Sequence, residues 1–331
     1  MPIDFRTEIS TDKRCDHRDE RPFRDNRKHW SRKMNHLRFL HYVDEVARVG
    51  SIRQASERLH VAPSAVLRRV QDLEDELGTP IFERLPRGMR LTAAGELFVR
   101  YIRTRTAELD RVRSEIEDLQ GLRRGSVRMV ASQALASAFL PKTVAAFHKR
   151  HSLVGFQIRV ADHLQALREL RTFDTDLALV FNMSDEADIE RIAEFEQRLC
   201  VVMHRNHPLA KRDGPVRLKE CAEFPLVMPN REIGGRQLLD QFLSRRSLKL
   251  QPIVESNSFE FLRGYLYQAQ ALSFQIQIGT VTDGGQLIWK EIEDRGFPKG
   301  TLVLASLRGR QLPVITYSFI EHLRSTLSSE Q

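Results

Sequence analysis

The sequence predicts an α/β protein whose N-terminus is a small, mostly helical winged helix-turn-helix. Three observations carry this prediction. Residues 34–91 hold three short helix patterns and a hairpin pattern, residues 92–121 hold a long heptad pattern, and strand and helix patterns alternate from 126 to 331. Such alternation is typical of parallel sheets covered by helices. The chain is therefore divided into a helical N-terminal unit, a linker helix and a larger α/β domain.

The composition is that of an ordinary globular protein with a basic balance. Of 331 residues, 41% are hydrophobic and 29% charged, and the formal net charge is +8. A positive charge favours a polyanionic partner such as nucleic acid. The three cysteines form no CxxC, and the N-terminus has no apolar segment typical of a signal peptide. With no long apolar run either, we expect a cytoplasmic protein that does not enter a membrane.

Residues 1–33 differ from the rest of the chain. They carry ten Lys or Arg, seven Asp or Glu and few apolar residues. A segment of this kind buries too little apolar surface to offset its ordering entropy, so we predict a disordered extension. Met34 directly precedes the first helix pattern and is an alternative start of translation. The other interpretation is a basic arm that contacts DNA phosphates.

The third helix is the central element of the helix-turn-helix. Its predicted buried positions recur at spacings of four, three and four: Val66, Val70, Leu73 and Leu77. Ser51 is placed to cap the second helix, Pro63 suits the first turn of the third, and Gly78 ends it. Two short extended runs around Pro86-Arg87-Gly88 then predict a hairpin, and a hairpin after a recognition helix is a wing.

The face of the third helix opposite its buried positions is the predicted DNA-reading surface. Arg68 can bond the O6 and N7 atoms of guanine, whereas Pro63 and Leu67 can make only apolar contacts, for example with thymine methyl groups. Arg53 on the second helix and the wing arginines are expected at phosphates or a minor groove. The predicted DNA-binding residues are Arg53, Pro63, Ser64, Leu67, Arg68, Arg69, Gln71, Arg87 and Arg90.

A long helix capped by Thr92 is predicted to follow, running to about residue 119. Its apolar positions alternate at spacings of four and three, with Arg105 as one polar intruder: Phe98, Ile102, Leu109, Val112, Ile116 and Leu119. Strict 3.5-residue spacing marks a coiled-coil seam, so we predict that these residues pair two chains. The alternative is a helix whose apolar face packs on its own domain.

The helix-turn-helix residues also fit a known family pattern. The matching positions are Gly50-Ser51, Ala55, Leu59, Val61, Ala65-Val66, Leu73-Glu74, Leu77-Gly78, Ile81-Phe82, Arg84 and Leu91-Thr92-Ala93-Ala94-Gly95. In this pattern the chain resembles the LysR-type transcriptional regulators. Leu67 departs from it, since relatives usually carry a polar residue there. The tetrapeptide His207-Pro208-Leu209-Ala210 adds a weaker match.

The resemblance implies a winged helix-turn-helix, a linker-helix dimer and a two-lobed effector domain like a periplasmic binding protein. The first lobe would comprise about 126–195 and 302–331, and the second about 196–301. The implied partners are double-stranded promoter DNA, a small-molecule effector, a second copy in a homodimer or homotetramer, and RNA polymerase. Effector binding would close the lobes, shift the dimer and change the bend of the promoter.

The effector is expected in the cleft between the lobes, near strand ends and helix N-termini, where free amides suit an anionic group. The candidate effector-binding residues are Ser132, Gln133, Asn182, Asn230, Arg231, Ser258 and Gln275. For each of them, the alternative is a local cap or loop role.

Other function classes have less support in the sequence. GxSxG, HExxH, Walker A and GxGxxG motifs are absent, as is metal-ligand spacing of histidines and cysteines, so neither an enzyme, a cofactor nor a metal is expected. A solute-binding protein without DNA function would explain only the C-terminal part. Some relatives sense oxidants through two cysteines, so redox sensing through Cys200 and Cys221 is an alternative function. The ordinary expectation for such cysteines is a buried, structural role.

Overall fold

The computed structural model describes residues 35–86, 88–119, 125–280 and 285–329. The predicted extension 1–33 and the wing residue Arg87 lie outside the described residues.

The N-terminal domain consists of three helices and a hairpin. They are α1 (Asn35–Val49), α2 (Ile52–Leu59), α3 (Pro63–Leu77), β1 (Phe82–Leu85) and β2 (Gly88–Leu91), with β1 and β2 antiparallel. The core of the domain is formed by apolar residues from all three helices, including Val43, Val46, Ala55, Val66 and Val70. The predicted winged helix-turn-helix is therefore confirmed.

Local chemistry sets the ends of these helices as the sequence predicts. The Ser51 hydroxyl accepts a hydrogen bond from the Gln54 amide at 3.4 Å, Pro63 occupies the first turn of α3, and Gly78 ends α3 with φ 66°. Burial of Leu77, in contrast, was predicted wrongly. Leu77 is 41% exposed, because α3 ends there and its last turn extends past the domain core.

Side chains from neighbouring elements hold the wing in place. One carboxylate oxygen of Glu74 accepts hydrogen bonds from the amides of Ile81, at 2.7 Å, and Phe82, at 3.0 Å. The Thr92 hydroxyl accepts from the Gly95 amide at 3.0 Å and so caps α4 (Ala93–Leu119), as predicted. The wing is thus fixed to α3 on one side and to α4 on the other.

The predicted seam of α4 is wrong in its first turns. Ile102 is 2% exposed and packs in the core of its own helix-turn-helix domain, with Phe98 packed against the same cluster, so Ile102 cannot face a second chain. The apolar residues of α4 that remain exposed form the α4 stripe: Leu97, Tyr101, Val112, Ile116 and Leu119. The stripe keeps three of the predicted residues but starts on a neighbouring face of the helix.

The C-terminal region alternates strands and helices. In chain order it contains β3 (Gly125–Ala131), α5 (Phe139–Arg150), β4 (Val154–Val160), α6 (His163–Arg171), β5 (Leu177–Phe181), β6 (Ile189–Gln197), β7 (Leu199–His204), α7 (Leu218–Cys221), β8 (Leu226–Pro229), α8 (Gly234–Leu243), β9 (Pro252–Ser256), α9 (Phe259–Gln268), β10 (Leu272–Ile276), β11 (Leu287–Glu291), β12 (Gly300–Leu307) and α10 (Val314–Ser329).

These strands form two separate sheets, one in each lobe. The first has the order β4-β3-β5-β12-β6 and the second β11-β7-β10-β8-β9. The chain enters the second sheet after β6 and returns to the first through β12, and these two strands are antiparallel neighbours. The predicted two-lobed α/β architecture is confirmed, but both sheets are mixed rather than parallel, because β12, β7 and β11 run antiparallel to their neighbours.

A series of linked ion pairs connects α1 to the first lobe. The Asp44 carboxylate accepts from Arg48 Nε at 2.8 Å and from Arg103 Nε at 2.6 Å, and Arg48 also pairs with Asp174 of the first lobe. Burial raises the pKa of Asp44, but the two guanidinium groups outweigh that effect and lower it. The DNA-binding domain and the first lobe are thus in direct ionic contact within one chain.

A second ion-pair cluster lies inside the first lobe. Asp176 is 1% exposed, and its carboxylate pairs with Arg128 at 2.6 Å and with Arg310, which precedes α10. Burial raises the pKa of Asp176, but the attraction of Arg128 and Arg310 outweighs it and the net pKa is lowered. The cluster fixes the start of β5 to both β3 and the C-terminal segment.

No helix among the described residues is long and apolar enough to span a membrane.

Candidate nucleic-acid interface and ligand cavity

The exposed face of α3 carries most of the predicted reading residues. Pro63, Ser64, Arg68 and Gln71 are exposed, whereas Leu67 is half-buried. Arg68 makes no hydrogen bond or ion pair with any residue that the structure describes. Its guanidinium is therefore available for a base edge or a phosphate.

Arg69 is oriented differently from Arg68. Its guanidinium lies 4.2 Å from the centroid of the Phe39 ring and pairs with Asp72 at 3.1 Å. These contacts hold Arg69 against α1, away from the face that carries Arg68. Arg69 therefore lies towards α1 in this structure rather than beside Arg68, and its part in the reading surface stays a prediction.

The predicted phosphate contacts remain accessible. The Arg53 side chain is 85% exposed and pairs only with Glu57 of the same helix, at 3.3 Å. Arg90 pairs with Glu83 across the wing and remains exposed. Exposed ion pairs of this kind are weak, so either arginine can exchange its partner for a phosphate at little cost.

A cavity of about 220 Å³ lies between the two lobes. Its wall combines apolar side chains, polar or acidic groups near helix starts, and backbone at the start of α8. The lining residues are Ser132, Gln133, Ala134, Val160, Ala161, Asp162, His163, Phe181, Pro229, Glu232, Ile233, Gly234, Gly235, Asn257, Phe259, Phe274, Gln275 and Ile276. A concave, partly apolar site with a few polar groups is the usual form of a small-molecule site.

Three of the predicted effector residues line this cavity. The Ser132 hydroxyl accepts from the Phe181 amide at 2.9 Å, and Gln275 Nε2 donates to the Gly279 carbonyl at 2.6 Å. Gln133 Oε1 is buried and has no hydrogen-bond partner among the described residues. Ser132 and Gln275 therefore shape the wall, while Gln133 offers a free acceptor.

The other four predicted effector residues do not line the cavity. Asn182 Oδ1 accepts from the Thr301 amide at 2.9 Å, which ties the end of β5 to β12. Ser258 caps α9 by accepting from the Phe261 amide at 3.2 Å. Asn230 and Arg231 lie outside the lining, with Arg231 exposed. Asn182 and Ser258 thus make the local structural contacts that the alternative interpretation describes.

The sequence interpretation missed three titratable residues of the cavity: Asp162, His163 and Glu232. Asp162 caps α6 by accepting from the Gln165 amide at 2.8 Å, and His163 is the first residue of that helix. His163 Nδ1 is buried without a hydrogen-bond partner among the described residues. Asp162 and His163 follow the end of β4, and ligands are expected near strand ends, which is the reason that Ser132 was predicted. The sequence therefore contained the signal for these two residues as well.

The start of α8 is the part of the wall that is built from backbone. This helix has no side-chain cap, and Gly234 and Gly235 both line the cavity. A Cβ atom on Gly234 would lie 3.0 Å from the Phe181 carbonyl oxygen of the other lobe. Glycine therefore allows the α8 N-terminus to approach β5 closely and to present bare amides to the cavity.

The two described cysteines are poorly suited to redox chemistry. Cys200 lies in β7 and Cys221 in α7, both at 0% exposure, as the sequence predicts. Burial raises the pKa of each thiol to about 12, with a smaller effect from Glu291 for Cys200 and from Glu220 for Cys221. Few thiolates form at neutral pH in such an environment. No metal-binding cluster of His, Cys, Asp or Glu occurs in the described part of the chain.

Comparison with known proteins agrees with both sites. Residues 37–96 match the family described as bacterial regulatory helix-turn-helix protein, lysR family, and residues 120–328 match the LysR substrate binding domain. The RuBisCO operon transcriptional regulator of Allochromatium vinosum is 29% identical over 87% of this chain and 95% of its own length. The activator CmpR of Synechocystis is 26% identical over 84% of this chain and 91% of its own length.

Solved structures show the same fold at lower identity. Full-length OxyR from Pseudomonas aeruginosa superposes with a TM-score of 0.64 at 20% identity, covering 88% of this chain and 94% of that chain. CbnR complexed with its target DNA gives a TM-score of 0.57 at 18% identity, covering 88% and 99%. The helix-turn-helix and the substrate-binding domain together show that this chain belongs to the LysR family of transcription regulators, which bind DNA and small-molecule effectors.

Proposed function

We propose that α3 reads operator DNA through Pro63, Ser64, Leu67, Arg68 and Gln71, with Arg53 and Arg90 on the phosphates. The observation that carries this proposal is the contrast between Arg68 and its neighbour Arg69. Arg68 is exposed and unpaired among the described residues, whereas Arg69 is held by Phe39 and Asp72. A free guanidinium on the exposed face of a recognition helix is suited to guanine O6 and N7.

The inter-lobe cavity is the proposed effector site. It is supported by contributions from both lobes, since Ser132 and Asp162 come from the first and Glu232 and Gly234 from the second. A ligand that contacts both lobes binds the closed arrangement better than the open one, and so shifts the population between them. The CcmR regulatory domain of Synechocystis, solved in complex with 2-PG, has this fold with a TM-score of 0.54 at 22% identity, covering 62% of this chain and 98% of that chain.

The α4 stripe is the proposed contact between two copies of the chain. Leu119 is 88% exposed and Leu97 66% exposed on a helix that the chain itself covers only on its other side. Apolar stripes of this kind are normally buried against a partner. A two-fold pair would place two α3 helices on one face of DNA.

A footprint on the DNA upstream of the gene tests the proposed DNA reading. The full-length protein, a form starting at Met34, and the Arg68→Ala variant are compared at one fixed salt concentration, because affinity for DNA depends steeply on salt. The matched control is Arg168→Ala, which removes an exposed arginine of the first lobe, in α6. We expect a protected two-fold pattern that Arg68→Ala weakens about ten- to a hundredfold and that Arg168→Ala leaves intact.

Equal loss of binding in Arg68→Ala and Arg168→Ala would contradict base reading by Arg68 and indicate a general charge effect. A solute-binding protein without DNA function would protect no site at all with either form of the protein.

A further inference from the structure

The charge of the cavity wall is unusual for a site that binds acidic effectors. Asp162 and Glu232 line the cavity, and no Lys or Arg is found among the described residues that line it. Three arginines adjoin lining residues in sequence, and none of them changes this balance. Arg159 is exposed outside the lining and pairs with Glu169 at 3.0 Å. Arg231 is exposed outside the lining, and Arg236 is 4% exposed and already paired with Glu255 at 2.6 Å. A ligand with several negative charges would therefore meet two carboxylates, with His163 as the one basic side chain among the described lining residues.

One end of the cavity nevertheless favours a single negative group. The N-terminus of α8 carries no side-chain cap, and Gly234 and Gly235 expose their backbone to the cavity. Unpaired amides at a helix N-terminus, together with the helix dipole, attract a carboxylate. The N-terminus of α6, in contrast, is already capped by the Asp162 carboxylate.

Two acceptors of the wall, on Gln133 and Asp162, can take a hydrogen bond from a ligand donor. Gln133 Oε1 is buried and has no partner among the described residues, and Asp162 is an acceptor when ionised. A buried acceptor without a partner carries a desolvation cost that a ligand donor would remove. An ammonium group offers three donors and one positive charge, which matches both acceptors and the acidic wall.

The cavity wall also contains apolar side chains. Val160, Ala161 and Phe274 are among the lining side chains. A volume of about 220 Å³ is below the roughly 300–1,000 Å³ range typical of drug-sized ligands. The ligand that fits these features is small, with opposite charges at its polar groups and a short apolar body.

We propose that the effector of this regulator is a small zwitterion, an α-amino acid. Its carboxylate meets the Gly234–Gly235 end of α8, and its ammonium group donates to Asp162 and Gln133. The assignment rests on the proposed function, because it requires the inter-lobe cavity to be the effector site. It replaces the anionic effector that the sequence alone suggested.

The test is a binding panel on the full-length protein, read by isothermal titration calorimetry. It contains small apolar α-amino acids, the matching α-hydroxy acids, the matching amines without a carboxylate, and 3-phosphoglycerate as a polyanion. We expect at least one amino acid to bind, and its hydroxy acid and amine to bind about tenfold or more weakly. Tighter binding of a hydroxy acid or of 3-phosphoglycerate, or no binding by any amino acid, overturns the proposal.

Two charge variants locate the ammonium group. Asp162→Asn removes the charge but keeps a side chain that caps helices as well as aspartate does. It should weaken the amino acid about ten- to a hundredfold and leave the hydroxy acid unchanged. The matched control is Glu223→Gln, which removes one exposed acidic group of the same lobe as Glu232, outside the cavity lining. An equal effect of both variants, or none for Asp162→Asn, contradicts the assignment.

A third variant separates this proposal from the cavity site itself. Asn257 is an exposed residue at the cavity wall, so Asn257→Trp fills the site with little effect on the core. If a hydroxy acid is the tighter ligand and Asn257→Trp abolishes its binding, the cavity is the effector site and only the zwitterion assignment fails. If Asn257→Trp leaves the affinity of every binding probe unchanged, the site lies elsewhere and both proposals fail.

Discussion

Replacing Ile116 with aspartate tests whether the α4 stripe holds two chains together. Ile116 is 49% exposed within one chain, near the middle of the C-terminal half of the stripe. Burial of the exposed half of one isoleucine contributes about 1 kcal/mol, and two chains contribute it twice. The two introduced carboxylates must also lose water at the contact, which costs several kcal/mol per ion.

Together these effects amount to at least about 4 kcal/mol, which corresponds to a roughly thousandfold increase in the dimer Kd. Sedimentation velocity over a range of protein concentrations measures this directly. The matched control is Thr106→Asp, because Thr106 is exposed on α4 but its position on the helix faces away from the stripe. Dimers of unchanged affinity in Ile116→Asp, or equal dissociation in both variants, would refute the assignment of the stripe to the chain–chain contact.

Three further predictions concern stability and reactivity. Asp176→Asn leaves Arg310 buried without its ionic partner and should lower the free energy of unfolding, measured by urea denaturation, by about 3–5 kcal/mol. A loss below about 1 kcal/mol would mean that the cluster contributes no more than a surface ion pair. Glu74→Ala removes two amide hydrogen bonds from the start of the wing and should lower the free energy of unfolding by about 2 kcal/mol and weaken DNA binding. Unchanged stability and DNA affinity would show that other contacts hold the wing. Peroxide should leave Cys200 and Cys221 unmodified in the folded protein, because both thiols are buried and their pKa values are raised to about 12. A sulfenic acid or a disulfide between them, detected by mass spectrometry, would support redox sensing instead.

The N-terminal domain was predictable because its signals are local. Ser51, Pro63, Gly78 and Thr92 each act within a few residues of chain, and the structure shows each in the predicted role. The sequence pattern also predicts a strand over 177–181 and a helix over 259–268, and both have these bounds in the structure.

Features that depend on a distant partner were missed. The strands β6, β11 and β12 were not predicted, since their pairing joins segments far apart in sequence. The sequence pattern predicts a helix over 134–150, but in the structure the helix begins only at Phe139, after a short 3-10 turn at 133–135. Heptad spacing identifies which residues of α4 are apolar on one face, but it does not determine whether Ile102 is buried by its own domain or by a second chain.

The cavity residues show the same difference between local signals and contacts that depend on the whole fold. Strand-end position placed Ser132, Gln133 and Gln275 at the cavity, but it gives no information on where a side chain points. Asn182 is absent from the lining, and its amide oxygen is engaged by the Thr301 backbone, 119 residues away in sequence. Contacts at that separation are set by the completed fold.

The return of the chain through β12 has a consequence for how the protein is made. Strand β12 lies between β5 and β6, and α10 contributes Phe319 and Leu323 to the core of the first lobe, both at 0% exposure. Synthesis runs from the N-terminus, so the second lobe is finished while the first still lacks a central strand and its covering helix. We therefore expect the first lobe to close only once β12 and α10 have been made, and a premature stop between the end of α4 and β12 to leave its core open while the DNA-binding domain is intact.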